Sequence, residues 1–148
     1  MRFSLSCAIF VAMFSLAACD KNGGTAATTP GAAVAAANAK AAGLMPPFAP
    51  LFPGASVQSS IGSGTGPEAA GTVSFSTNAT PEEVIAFYRG KAIAAGMEET
   101  PDFGDTGTIV FSAMREADEM GIRVIVAGAS GGTNVQILWA RQSDEDQE

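Results

Sequence analysis

Side chains capable of covalent or acid–base chemistry are scarce in this chain. Its 148 residues include two cysteines and no histidine, so the commonest general base and zinc ligand are absent. Carboxylates at Glu98, Glu99, Asp102 and Asp105 are close enough in sequence to suggest paired-carboxylate catalysis. They fall in a predicted exposed loop, where nothing raises a carboxyl pKa. We therefore predict no enzymatic activity, no cofactor and no metal site, and keep a carboxylate hydrolase as a remote alternative.

The cysteine at position 19 lies at the end of an apolar N-terminal segment. Residues 3–16 are apolar or small, but a helix that spans a bilayer needs about 20 apolar residues. The four residues that close the segment are Leu16, Ala17, Ala18 and Cys19. This arrangement resembles the lipobox of bacterial lipoproteins. The resemblance implies a signal peptide over residues 1–18, cleavage before Cys19 and lipid on that cysteine, with an uncleaved anchor or an ordinary secretory signal as the alternative.

The residue after this cysteine indicates which membrane holds the protein. In the lipoproteins that the chain resembles, aspartate at the position of Asp20 is a signal for retention in the inner membrane. The resemblance thus implies attachment through lipid on Cys19 to the periplasmic face of the inner membrane, with the outer membrane as the alternative. Two or more acyl chains give the stable anchoring that one chain does not.

The charge of the chain limits its partners. The net charge is −7, from 8 basic and 15 acidic residues. An acidic surface repels both nucleic-acid phosphates and anionic lipid headgroups. We therefore predict no nucleic-acid binding, and we expect membrane contact through the acyl chains rather than through a basic surface.

Composition divides the rest of the chain into three parts. Residues 19–44 are rich in Ala, Gly and Thr and contain little that could enter a core, so they predict a flexible tether. Within it, residues 32–42 could form a transient helix, because alanine has the best helix propensity. Residues 45–142 suffice for one small domain. Residues 143–148 are acidic and predict a disordered tail.

Periodicity in the domain predicts an α+β fold in the order β-β-α-β-β-β. Apolar residues alternate in five stretches, which are residues 55–61, 71–77, 108–114, 121–127 and 133–141. In the first stretch, Val57, Ser59 and Ile61 are expected to share one face. Short connections between the strands predict an antiparallel sheet of about five strands.

One helix is predicted between the second and third strands. Thr80 and Glu83 have the spacing of a capping box, and Pro81 suits the first helical position. Apolar residues recur at helical spacing over residues 81–95, so one side of the helix should be buried. A single helix can cover only one face of the sheet.

The other face of the predicted sheet is a candidate interaction surface. This face is mixed rather than fully polar, and its apolar members are Val110, Met114, Ile125 and Leu138. The hypothesis is that it docks an envelope protein or a second copy of the chain. The alternatives are an ordinary half-polar face and a face covered by residues 46–53.

Together these features predict a lipid-anchored periplasmic accessory or binding lipoprotein without catalytic activity. A self-associating structural lipoprotein of the envelope is the alternative. The segments Phe52-Pro-Gly-Ala and Thr80-Pro-Glu-Glu-Val, the second followed by Phe87 and Tyr88, also resemble small proteobacterial lipoproteins. That second resemblance implies no particular activity.

Overall fold

The computed structural model describes residues 30–63, 69–101 and 107–141, which form two helices and six strands. The predicted signal peptide, Cys19, Asp20, the first part of the tether and the acidic tail lie outside these ranges, as do Asp102 and Asp105. Within the described ranges, neither helix combines the length and the apolar character that crossing a bilayer requires.

All six strands form one sheet in which every neighbouring pair is antiparallel. In chain order the elements are α1 (Pro30–Leu44), β1 (Ser56–Ser63), β2 (Ala70–Thr77), α2 (Pro81–Ala94), β3 (Glu98–Thr100), β4 (Thr108–Arg115), β5 (Met120–Ala129) and β6 (Gly132–Arg141). The strand order across the sheet is β1-β2-β6-β5-β4-β3, so β1 and β3 are its edges.

The predicted α+β class with an antiparallel sheet is confirmed, whereas five strands and one helix are an incomplete count. The additional strand is β3, whose three residues are too few to show a period. The additional helix is α1, which takes residues that the sequence placed in the tether. Tertiary contacts, rather than local patterns, hold both elements in place.

Helix α1 is attached to β1 by one polar side chain and by small apolar residues. A helix of 15 mostly alanine residues is marginal on its own in water. The side-chain amide nitrogen of Asn38 donates to the carbonyl oxygen of Ala55 (2.8 Å), and its oxygen accepts from the amide of Val57 (3.0 Å). Ala41 is fully buried. The second part of the predicted tether therefore packs against the sheet.

Strand β1 contains an irregularity that changes the direction of its later side chains. Val57 is opposite Phe75 of β2, but the register shifts before Ser59, so that Ile61 is opposite Thr72. A bulge of this kind inserts one residue and interrupts the alternation of the two faces. Val57 is buried, whereas Ile61 is 77% exposed. The prediction that Val57, Ser59 and Ile61 share one face is therefore wrong.

Helix α2 begins at the predicted capping box, which is confirmed. The amide of Glu83 donates to Oγ1 of Thr80 (3.3 Å), and the amide of Thr80 donates to Oε2 of Glu83 (2.8 Å). The bonds that the Thr80 amide and hydroxyl donate to Oε2 lower the pKa of the Glu83 carboxyl. Pro81 occupies the first turn, and Gly96 follows the helix with a φ of +73°.

One face of the sheet carries most of the core. Helix α2 buries Val84, Ile85, Tyr88 and Ala92. The buried residues of the sheet on this core face include Val73, Phe75, Phe111, Ala113, Ile122, Val124, Val126, Val135, Ile137 and Trp139. Each large aliphatic or aromatic side chain buried in this way contributes about 1.5–3 kcal/mol relative to exposure.

Residues 45–55 cross the core face beside α2. The ring of Phe52 is stacked against Phe75, with centroids 6.5 Å apart, and meets the ring of Phe87 edge-on at 5.1 Å. The Tyr88 hydroxyl donates to the carbonyl oxygen of Pro50 (3.1 Å). These aromatic and hydrogen-bonded contacts join the proline-rich segment to the helix.

The indole of Trp139 occupies space that two glycines leave free. A Cβ atom on Gly71 would overlap Cζ2 of Trp139 and would lie 2.7 Å from the carbonyl oxygen of Ile61. A Cβ atom on Gly62 would lie 3.6 Å from Cζ2 of the same ring and 3.6 Å from Cδ2 of Leu44. Nε1 of Trp139 has no hydrogen-bond partner among the described residues, so the side chain stabilises the fold through packing.

We predict that Gly71→Ala destabilises the domain and that Gly90→Ala does not. The new methyl group at position 71 must displace Trp139 or the backbone of Ile61, which costs about 1–3 kcal/mol. Gly90 lies in α2 with open space around its Cα, so alanine there should raise the free energy of unfolding by about 0.5–1 kcal/mol. Urea unfolding of the three proteins measures both changes, and equal midpoints would contradict the proposed contact.

We also predict that the domain loses stability above about pH 10, the ordinary pKa of tyrosine. Burial raises the pKa of the Tyr88 phenol in the folded state. The unfolded chain therefore releases this proton first, and the free energy of unfolding should fall by about 1.4 kcal/mol per pH unit between the two pKa values.

Tyr88→Phe is the matched control for this prediction, because it removes the ionising group and keeps the ring. The chain has one tyrosine, so phenolate absorbance reports this residue alone. The difference in unfolding free energy between wild type and Tyr88→Phe should change above pH 10 and stay constant below it. A constant difference at every pH would show that the phenol ionises freely in the folded protein.

Candidate functional site

The face opposite the core brings the four predicted interaction residues onto one surface. Side chains alternate along each strand, so residues between the core positions of β4, β5 and β6 belong to this face. Val110 of β4 is directly opposite Ile125 of β5. Leu138 of β6 is opposite Arg123 of β5, and Met114 lies farther along β4. We call this surface of the sheet, which includes these residues, the open face.

No element in the described ranges covers the open face. Helix α1 meets the sheet through Leu44 above Gly62 on the core side. Helix α2 and residues 45–55 lie on the core side as well. The possibility that residues 46–53 cover the open face is therefore wrong. Val110, Met114, Ile125 and Leu138 are only half-buried, by their neighbours within the sheet.

The half of the open face nearer β1 is uncharged and, apart from Ile61 of β1, polar. Its polar side chains are those of Ser59, Thr72, Ser74, Ser76, Asn134 and Gln136. In the apolar half, Arg123 lies between Ser112 and Leu138 on the neighbouring strands. A mixture of apolar, neutral polar and arginine side chains is typical of protein interfaces that form and dissociate.

A shallow depression of about 340 Å³ lies at one end of the open face. Gly121 is opposite both Met114 and Ala140. Because residues 121 and 140 are small, they leave space between the larger side chains around them. Thr100, Arg123 and Leu138 also line it. The volume lies at the lower end of the range for small-molecule sites. Its hydroxyl, guanidinium and apolar groups are suited to recognition of a ligand rather than to bond cleavage.

The carboxylates that suggested acid–base chemistry do not form a pair in the described part of the chain. Both oxygens of Glu99 bind the Arg89 guanidinium, at 3.1 and 3.0 Å, and both side chains are about half exposed. Glu98 is exposed on β3, opposite Met114. Within the described ranges, no three Cys, Asp or Glu side chains are grouped so that they could hold a metal ion. Asp102 and Asp105 lie outside them.

Arg115 joins three segments on the core side. Its Nε and Nη2 donate to the two carboxylate oxygens of Asp118 (2.9 and 2.7 Å), and its Nη1 donates to the carbonyl oxygen of Ala95 (3.0 Å). Its guanidinium carbon lies 5.8 Å from the centroid of the Phe48 ring. The hydrogen bonds from Arg115 lower the pKa of Asp118. Since each of its three guanidinium nitrogens donates a hydrogen bond within the chain, Arg115 has a structural role.

Sequence reasoning missed three residues that shape the surfaces of the domain. Arg115 could have been noticed from Asp118 three residues later in the same connection. Asn38 gave no signal, because its hydrogen-bond partners lie 17 and 19 residues away in sequence. Strict alternation puts Ile61 on the same face as Val57, but the bulge in β1, which has no sequence signature here, places the two side chains on opposite faces.

Comparison with known proteins adds no functional information. No family profile, no curated protein and no solved structure matches the chain.

Proposed function

We propose that this protein is a lipid-anchored lipoprotein of the bacterial envelope whose domain presents the open face to a protein partner and performs no catalysis. The observation that carries the proposal is the uncovered group of Val110, Met114, Ile125 and Leu138 on adjacent strands. Two helices and residues 45–55 all pack on the other side of the sheet.

The size of the open face suits a protein partner. Six strands spaced by about 4.8 Å and about eight residues long give a surface on the order of 600–800 Å². Stable protein interfaces bury about 800 Å² on each side. A partner that covered most of the sheet would therefore form an interface of ordinary size.

The predicted anchor would hold this surface close to a membrane. Cys19 lies 11 residues before Pro30, the first residue of α1. The maximum length of 11 extended residues is about 36–40 Å. The proposed location is the periplasmic face of the inner membrane, on the resemblance at Asp20, with the outer membrane as the alternative. Partners within reach are then membrane proteins and proteins bound at the same surface.

We predict that Cys19→Ala releases the protein from the detergent phase and leaves the leader attached, because neither lipid nor the cleavage that follows it is possible. Cys7→Ala is the matched control, since the other cysteine lies in the predicted leader and should have no effect. Phase partitioning and electrophoretic mobility measure both results. In a separate fractionation of inner and outer membranes, Asp20→Ser should move the protein toward the outer membrane. Unchanged partitioning of Cys19→Ala would contradict the anchor.

We predict that Ile125→Glu weakens partner binding by about tenfold or more, because a charge at the centre of an apolar contact costs at least about 1.4 kcal/mol. A photo-reactive amino acid in place of Leu138 should form a cross-link in intact cells to an envelope protein other than this chain. The same group at Ala86, an exposed position of α2, is the matched control. Identical adducts at both positions, or an adduct at position 138 that Ile125→Glu leaves unchanged, would argue against the open face as the binding surface.

A further inference from the structure

The two edges of the sheet differ in how well they are protected from pairing with another strand. β3 is three residues long, contains Glu98 and Glu99 and is followed by Pro101. Short length, charge and proline are the features by which proteins prevent pairing at a sheet edge. β1 has eight residues, Ser-Val-Gln-Ser-Ser-Ile-Gly-Ser, without a charge or a proline. Of the two edges, β1 is the one that can accept a strand.

Helix α1 hydrogen-bonds only to the first part of this edge. The Asn38 amide binds the carbonyl of Ala55 and the amide of Val57, which is the pattern that one residue of a parallel strand would make. Six residues later, Leu44 lies above Gly62 on the core side, next to the Trp139 ring. Asn38 thus lies beside the edge, and Leu44 at the end of the helix lies over the core face. Beyond Val57, no described residue hydrogen-bonds to the outer edge of β1.

The side chain of Ile61 lies on this uncovered part of the edge. It is 77% exposed, which is the highest value among the exposed large hydrophobic residues in the described ranges. The bulge in β1 places Ile61 on the same side of the sheet as the open face. A largely exposed isoleucine in an uncharged edge strand is the kind of surface that pairs with another chain.

We propose that a second copy of this chain pairs with β1, antiparallel and with two-fold symmetry, so that Ile61 lies opposite the same residue of the other copy. In this register Ser59 is opposite Ser63 and Ser60 is opposite Gly62, so only small uncharged residues flank the central pair. The two sheets then form one continuous sheet. The proposal goes beyond the proposed function, because it concerns an edge three strands away from Ile125.

Charge favours this pairing over the alternatives between identical chains. Each chain has a net charge of −7, so two copies repel one another over most of their surfaces. Pairing through β3 would bring Glu98 and Glu99 close to their own copies, and like charges directly opposite are destabilising. Pairing through β1 brings together strands without charge and keeps the acidic edges at the far ends.

The first test uses cysteine cross-linking of the full-length chain in membranes. Residues directly opposite in antiparallel strands have Cα atoms about 4.5–5.5 Å apart, which is within the range of a disulfide. Ile61→Cys should therefore give, on oxidation, a band of twice the mass of the monomer. Ile93→Cys is the matched control, because this isoleucine of α2 is 64% exposed and distant from β1. The parent chain gives the background from Cys7 and Cys19.

The second test measures association of the purified full-length protein by sedimentation equilibrium in mild detergent. Ile61→Lys should raise the dissociation constant of the dimer tenfold or more, because two ammonium groups would lie opposite one another. Ile93→Lys and Ile125→Glu should leave it unchanged. Since Ile61 is exposed, Ile61→Lys should melt within a few degrees of the wild type.

Several results would overturn the proposal. They are a wild-type protein that is monomeric at all concentrations, a dimer that persists in Ile61→Lys, and a dimer in which Ile61→Cys does not cross-link to itself. A cross-link from position 61 to a different protein would show that β1 has another partner. If Ile125→Glu loses the cross-link from position 138 while the Ile61→Cys dimer still forms, the open face alone is affected and the β1 pairing stands.

Discussion

The contact of Trp139 with Gly62 and Gly71 determines how the sheet is assembled. The indole belongs to β6, the glycines belong to β1 and β2, and Leu44 of α1 closes the same space. A side chain at Gly71 would overlap the ring, whereas a Cβ atom at Gly62 would touch it at 3.6 Å, so the close approach of β2 to the indole depends on Gly71. The ring lies on the core side, where the other large buried side chains of the three strands also lie. The opposite face of these strands carries small, polar and medium-sized residues.

One-sided burial then accounts for the surface that we assign to binding. α2 and residues 45–55 are joined by aromatic contacts and by the bond from Tyr88 to Pro50, so they form one layer on the core face. The sheet has no second layer in the described ranges. Its half-buried apolar side chains at 110, 114, 125 and 138 are held by neighbours within the sheet and are available to a partner.

Local patterns in the sequence were sufficient for part of this structure. The capping box at Thr80 and Glu83, the alternation in β5 and β6 and the four apolar residues of the open face could all be predicted, because each depends on residues near in sequence. Three features could not be predicted from local patterns. β3 is too short to show a period, the bulge in β1 exchanges the two faces without a marker residue, and the docking of α1 depends on hydrogen bonds from Asn38 to distant backbone groups.

The position of Asn38 within α1 has a mechanical consequence for a domain held at its N-terminal end. Eight residues of helix precede this side chain, and they include no fully buried residue. Tension applied at Pro30 would unwind these two turns first, which lengthens the chain by about 15 Å as the rise per residue increases from helical to extended values. Only then would the load reach the hydrogen bonds to β1. With the proposed anchor at Cys19, the start of α1 would extend under load before the hydrogen bonds of Asn38 to β1 are reached.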